Sequence, residues 1–325
     1  MKQYPLDNTF LVAAWLESLL YGCFLVTFVA SVYVQVSFNK RQNTHNRVMF
    51  IYSGVMFAIA TVHVAMNCFR LIRGFADSAA APGGAVGYLA VLSRWDHIFK
   101  DTLYATQSII GDSAGVYRCW ILWNKDYRFV ILPGLLLIGS TVSGYMVCGL
   151  YPTIDPNASI FNPVLLDWIT AFYSIAVTQN IITTGLMALR LWQVEKQSAR
   201  YRLGGGNFIP VIKILVESAA LYLLIEILLL ALYTVDHNAQ YILLECVTPT
   251  AGFTFCVIAI RINLRAQKAP SGQSGGNSAA TQTIGSIPMR PIVISRRVEE
   301  SHHTDDIHIG YGKDGPGKDG PWTGP

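Results

Sequence analysis

Charge is scarce in this sequence. Only 14% of its 325 residues are Asp, Glu, Lys or Arg, against about 25% in an ordinary soluble protein. The formal net charge is +4 and no long basic run occurs, so nucleic acid finds no electrostatic footprint and is not expected as a partner. Cysteine is also sparse. The 6 cysteines, at 23, 68, 119, 148, 246 and 256, all fall inside apolar runs, without CxxC or Cys/His zinc spacing. They read as small buried hydrophobes. Cys68 and Cys148, near the outer ends of their runs, are the pair that could form a disulfide.

Signatures of metal hydrolysis and of phosphate binding are missing too. There is no HExxH, and Gly204-Gly205-Gly206 lacks the Lys-Ser/Thr that would make it a phosphate cradle. His63 and His97 are the only histidines in apolar runs, too few for an intramembrane zinc hydrolase. The last apolar run has no lysine for a retinal Schiff base. An enzyme is not expected, nor a cofactor or a metal.

Apolar residues are abundant, at 52%. Runs of about 20 mostly apolar residues span a bilayer as helices, and six such runs lie at 14–36, 48–69, 129–150, 164–189, 211–234 and 241–262. A seventh segment, 96–123, is more polar. Read as a helix, it brings His97, Asp101, Tyr104, Ser108, Gly111, Asp112, Gly115 and Arg118 to within roughly 60° of one line. Ile98, Leu103, Ile109, Ile110 and Val116 take the other side. With lipid as the solvent, that polar stripe must face protein or a cavity. The fold expected is therefore an all-α membrane protein with seven transmembrane helices.

Lys and Arg set the orientation. Lys40, Arg41 and Arg47 follow span 1, and Lys125 and Arg128 follow span 3. Arg190, Lys196, Arg200 and Arg202 follow span 5, and Arg261, Arg265 and Lys268 follow span 7. The loops 151–163 and 235–240 have none. Arg70, Arg73 and Arg94 run against the trend. The balance predicts an extracellular N-terminus (1–13), a seven-helix domain (14–262) and a cytoplasmic tail (263–325). The tail is rich in Ser, Gly, Thr and Pro and should be disordered; its His302, His303 and His308 read as solvated. Asn157-Ala-Ser159, the glycosylation acceptor, falls in a loop assigned outside. Trp15, Trp95, Trp120, Trp123, Trp168 and Trp192 sit near span ends, as an aromatic belt would. Segment 74–93 reads as a loop or a re-entrant piece. Pro249 in span 7 should kink that helix.

Ionisable groups inside spans are costly, about 2.5–3.5 kcal/mol each at mid-helix, so their depth is informative. Glu17, His63, Asn67, Asp101, Tyr104, Glu226 and Glu245 fall toward the outside. Asp112 lies near the midplane, with Gln179 and Asn180 at similar depth. His63, Asp101, Tyr104, Ser108, Asp112, Glu226 and Glu245 are the expected ligand-binding set, lining an outward cavity for a small polar or cationic molecule. Hydrogen bonding between helices is the alternative role for the same groups. Arg118, Asp126 and Arg128 at the inner end of span 3, with Arg200 and Arg202 of the third inner loop, form the expected coupling surface for a cytoplasmic signalling protein. Positive-inside charge and a helix stop are the stronger account of the first three.

The stretches IIGDSAGVYRCWILWNKDYR (109–128), SGYMVCGLYP (143–152), TQNIITTGLMALRLW (178–192), ILVESAALYLLIEILLLALY (214–233) and NAQYILLECVTPTAGFTF (238–255) resemble a large group of seven-span membrane proteins of basidiomycete fungi. The resemblance covers about 15–265. It implies the fold and a receptor-like label that rests on topology alone, which does not supply an activity. A receptor-like sensor is the first expectation and a proton-linked carrier the second, with a scaffold third. The plasma membrane is the default location.

Overall fold

Backbone amides in lipid have no water to bond, so apolar runs of this length close their hydrogen bonds within a helix. The computed structural model describes residues 4–38, 44–78, 80, 83–154, 160, 162–199 and 209–268. Among these, the regular elements are helices and no strand occurs. They are α1 (Leu6–Phe38), α2 (Thr44–Ile72), the short α3 (Gly84–Leu89), α4 (Trp95–Leu122), α5 (Ile131–Leu150), α6 (Pro163–Ala199), α7 (Ile209–Thr234) and α8 (Gln240–Lys268).

Six of them, α1, α2, α5, α6, α7 and α8, are long and apolar enough to cross a membrane. Val26, Val29, Val36, Leu135, Ile138 and Ile181 are exposed on their outward faces. Water does not tolerate so much contiguous apolar surface, whereas lipid solvates it. By length and composition the chain is a multi-pass membrane protein. Helix α4 falls outside the six. It matches the predicted segment 96–123 in extent, and its polar stripe sets its hydropathy below that of the six.

Successive long helices alternate in direction, as their side-chain pairs show. Glu17 meets His63 between α1 and α2, and Arg70 meets Asp96 between α2 and α4. Tyr151, just past α5, meets Asp101 of α4, and Asn180 of α6 meets Glu226 of α7. Below, the near end is the one at which α1, α4, α6 and α8 begin. Helices α4 and α6 are parallel and in even register. Tyr104 packs on Phe172, Asp112 on Asn180, Gly115 on Thr183, and the Leu122 carbonyl on Arg190, all at one sequence offset.

Helix ends differ somewhat from the predicted spans. Helix α1 already begins at Leu6, within the stretch 1–13, and α8 continues past 262 to Lys268. Segment 74–93 holds a π-helical turn, Arg73–Asp77, and α3. Arg70 ties this segment down by donating to the Leu89 carbonyl at 2.9 Å. Pro249 lies inside α8 without ending it. Trp15, Trp95, Trp168 and Trp192 are exposed, as a belt requires, but Trp123 is buried and stacks on Phe129 at 3.6 Å. Cys68 is exposed, Cys148 is buried, and both are free thiols, so the disulfide considered for them does not form. Asn157, Arg200, Arg202 and the tail from 269 onward lie outside the described residues.

Helices α1 and α8 meet closely at Gly252. A Cβ added at Gly252 would stand 2.3 Å from Cζ of Phe24, a ring that is wholly buried. Gly252→Ala should therefore overpack this seam and cost about 1–3 kcal/mol, read as a lower thermal-unfolding midpoint in detergent. Adding Phe24→Leu should restore most of the loss. An unchanged midpoint in Gly252→Ala would mean that the two helices do not pack this closely.

Candidate functional site

The polar stripe of α4 is turned inward. His97, Asp101, Tyr104, Ser108 and Asp112 are all buried, and so are Asp96, Lys100 and Gln107 beside them. An uncompensated charge in such a place is costly, and the near end shows how the cost is met. Lys100 of α4 donates from Nζ to Oε1 of Glu245 on α8 and lies 3.4 Å from Oδ1 of Asp101. Asp101 accepts from the Tyr151 hydroxyl at 2.9 Å, and its Oδ2 is 3.5 Å from Nε2 of His97. On the other side of Glu245, its Oε2 lies 3.7 Å from Nε2 of His63 on α2. The Nδ1 of that ring meets Oε1 of Glu17 on α1 at 2.6 Å, and Asn67 donates to Oε2 of Glu17. One continuous network thus joins α1, α2, α4 and α8 with the turn after α5.

Next to it, Asp96 takes Arg70 at 3.2 Å and Arg94 at 3.0 Å. Arg94 also lies over the ring of Tyr88 at 3.8 Å, and Arg73 pairs with Asp77 at 3.1 Å. The three arginines that ran against the orientation reading are therefore each matched by a carboxylate.

A cavity of about 30 Å³ lies beside this network, bounded by Asp101, Tyr104, Tyr151, Tyr173 and Phe172 among others. It accommodates one or two waters, well short of the few hundred Å³ that an organic ligand occupies.

Deeper along α4 is a second centre of different character. The amide nitrogen of Asn180 donates to Oδ1 of Asp112 at 3.2 Å and to Oε2 of Glu226 at 2.9 Å. Tyr222 lies beside Glu226 and Ser108. Among the described residues no Lys, Arg or His makes an ion pair with either carboxylate, and Oδ2 of Asp112 has no hydrogen-bond partner. Both amide atoms of the adjacent buried Gln179 are likewise without one. This corrects the depth expected for Glu226, which belongs with Asp112 and not with the outer group.

At the far end Arg118 turns inward, toward α8. Its guanidinium donates to the Phe255 carbonyl at 3.4 Å and stacks 3.9 Å from the Phe255 ring. Asp126 accepts from the backbone N–H of Arg128 at 3.1 Å, which is a local cap on the turn Tyr127–Phe129. Arg118 and Asp126 thus serve different neighbours. The last carbonyls of α4 receive a cation from elsewhere: Arg190 of α6 donates to the Leu122 carbonyl at 3.3 Å, where the helix dipole favours positive charge.

Of the expected ligand set, the structure brings His63, Asp101 and Glu245 into the near-end network, with Tyr104 at the adjoining cavity. Asp112 and Glu226 come together separately, with Ser108 beside their Tyr222 partner. Sequence reasoning missed Lys100, Asp96, Arg70 and Gln107. The spacing 96, 100, 107 was the available signal, since those positions share a helix face adjacent to the stripe. Comparisons with protein-family models, with curated proteins and with solved structures gave no match.

Removing the ammonium is the direct test of the network. Lys100→Met should leave Glu245 and Asp101 buried without a cation and destabilise the protein by about 3–5 kcal/mol. Lys100→Met combined with Glu245→Met should regain much of that loss in thermal unfolding. Wild-type stability in the single variant would show that the ion pair is not structural.

Proposed function

We propose that this chain is a seven-span, receptor-like membrane sensor of a small polar or cationic ligand, with α4 as the additional span. Membership of the basidiomycete seven-span group, an outward-facing near end, a cytoplasmic C-terminus and residence in the plasma membrane are parts of the same proposal. The observation that carries it is the ladder between α4 and α8. Lys100 bonds Glu245, Gln107 donates to the Thr248 carbonyl beside Pro249 at 3.2 Å, and Arg118 reaches the Phe255 carbonyl. A ligand that competes for the near-end carboxylates acts on the top rung. The same two helices carry the change past the proline to the far end.

The ligand class follows from charge. Glu17, Asp101 and Glu245 outnumber Lys100 within the network, so a cation or a hydrogen-bond donor relieves an acidic excess there. Such a ligand needs the near end to open, because the cavity beside Asp101 is water-sized. Opening of that kind is a shift between two states, driven by differential contacts with the ligand.

The test is guanine-nucleotide exchange on fungal Gα subunits in membranes with and without the protein. A coupled receptor raises exchange, and Arg118→Ala abolishes the increase while leaving surface abundance unchanged. Exchange that stays at the protein-free level, both alone and across a panel of small amines, sinks the coupling.

The Asp112–Asn180–Glu226 centre favours a second reading, a proton-linked carrier. Two carboxylates around one amide, with no cation paired to them among the described residues, suit a shared proton. In proteoliposomes a carrier would show a proton flux that is lost in Asp112→Asn. Equal flux in the two proteins removes this reading.

A further inference from the structure

A buried gap separates His63 from Glu245. Glu17 holds Nδ1 of His63 at 2.6 Å, so Nε2 is the ring nitrogen directed away from Glu17. Facing Nε2 at 3.7 Å is Oε2 of Glu245, almost wholly buried and without a hydrogen-bond partner. Two atoms of metal-ligating type thus face each other across a buried gap. The separation exceeds a hydrogen bond.

We infer that a divalent transition-metal ion of the zinc class occupies the gap between His63 Nε2 and Glu245 Oε2. Zinc binds imidazole nitrogen at about 2.0–2.1 Å and carboxylate oxygen at about 2.0–2.2 Å, so an ion bonded to both atoms subtends an angle of roughly 130°. One ligand atom from each of Glu17, His63 and Glu245 lies within 4.8 Å of the other two. Glu17, on Nδ1, orients the ring in the carboxylate–histidine–metal arrangement. The other atoms of the cluster are already held in place. Asn67 holds Oε2 of Glu17, and Lys100 holds Oε1 of Glu245. Charge agrees: Glu17, Glu245 and Asp101 exceed Lys100 by two negative charges when the ring is neutral, and a divalent ion cancels that excess. A hard cation such as magnesium would want several waters and oxygen donors in near-octahedral array, for which a site containing an imidazole and packed among three helices is poorly suited.

The inference stands on this geometry whether the bundle senses, transports or scaffolds. Such an ion would join α1, α2 and α8 at one point.

The experiment uses the full chain, purified in detergent by a tag without histidine, stripped with a chelator and incubated with zinc sulfate. After gel filtration, elemental analysis should find about one zinc per chain, and the thermal-unfolding midpoint should rise by roughly 5 °C over the stripped protein. His63→Gln and Glu245→Gln should each lose the retained zinc and the shift. A variant with alanine at His302, His303 and His308 should keep both, which separates this site from the tail. The wild-type measurement decides even if a substituted protein fails to fold. No retained zinc and no shift in the wild-type chain would overturn the inference and leave a proton in the gap. Zinc lost with the tail histidines but kept without His63 would overturn it equally.

Discussion

The Lys100–Glu245 ion pair is the contact on which the near end of the bundle depends, since it joins α4 to α8 between two buried charges. Helix α4 has no run apolar enough for lipid to solvate all round. It is accommodated because its lysine meets a carboxylate from α8, while its aspartate meets the same lysine, a tyrosine hydroxyl and an imidazole. Five of the six apolar helices supply lipid-facing surface, and α8 is largely buried among the others. The polar helix supplies the reason that they converge, because every polar group it brings in has to be matched from a neighbour.

Compensation is uneven along α4. At the near end, carboxylates and cations alternate through a connected network. Around Asp112 the arrangement is acidic, with a neutral amide as mediator and no described cation paired to it. At the far end an arginine lies on an aromatic ring and a backbone carbonyl. One helix therefore presents three electrostatic environments in sequence. The middle one has an acceptor without a partner on Asp112 and an unbonded amide on Gln179. Unmet hydrogen-bonding capacity of this kind, which the near end shares at His97 and Glu245, is where function tends to reside.

Periodicity made the orientation of α4 legible, since His97, Asp101, Tyr104, Ser108 and Asp112 of its polar line are buried. Depth counting also put Asp112 level with Asn180, and these two residues bond. It failed for Glu226, because counting from the ends of an apolar run assumes that helices enter the membrane at equal heights. Lys100 escaped notice because its partner is 145 residues away, beyond any local pattern. Arg70 was read as a loop charge, yet α2 extends past it and buries it against Asp96. Net loop charge cannot distinguish an arginine in solvent from one committed to a carboxylate. The ligand-sized space anticipated between the helices is, beside Asp101, a water-sized one, since side-chain volume in a packed interior is a three-dimensional sum that no single helix reveals.

The even register of α4 and α6 has a mechanical consequence. Four contacts spaced from Tyr104 to Leu122 share one offset, so the two helices mesh like matched racks. Sliding either along its axis by one turn, about 5.4 Å, would break all four together, and the facing residues one turn on offer no equivalent set. Motion between them is thereby confined to tilting or rolling as a unit. Helix α8 meets α4 at rungs whose offset changes along its length, so that pair is not meshed in one register and keeps a freedom that α4 and α6 lack.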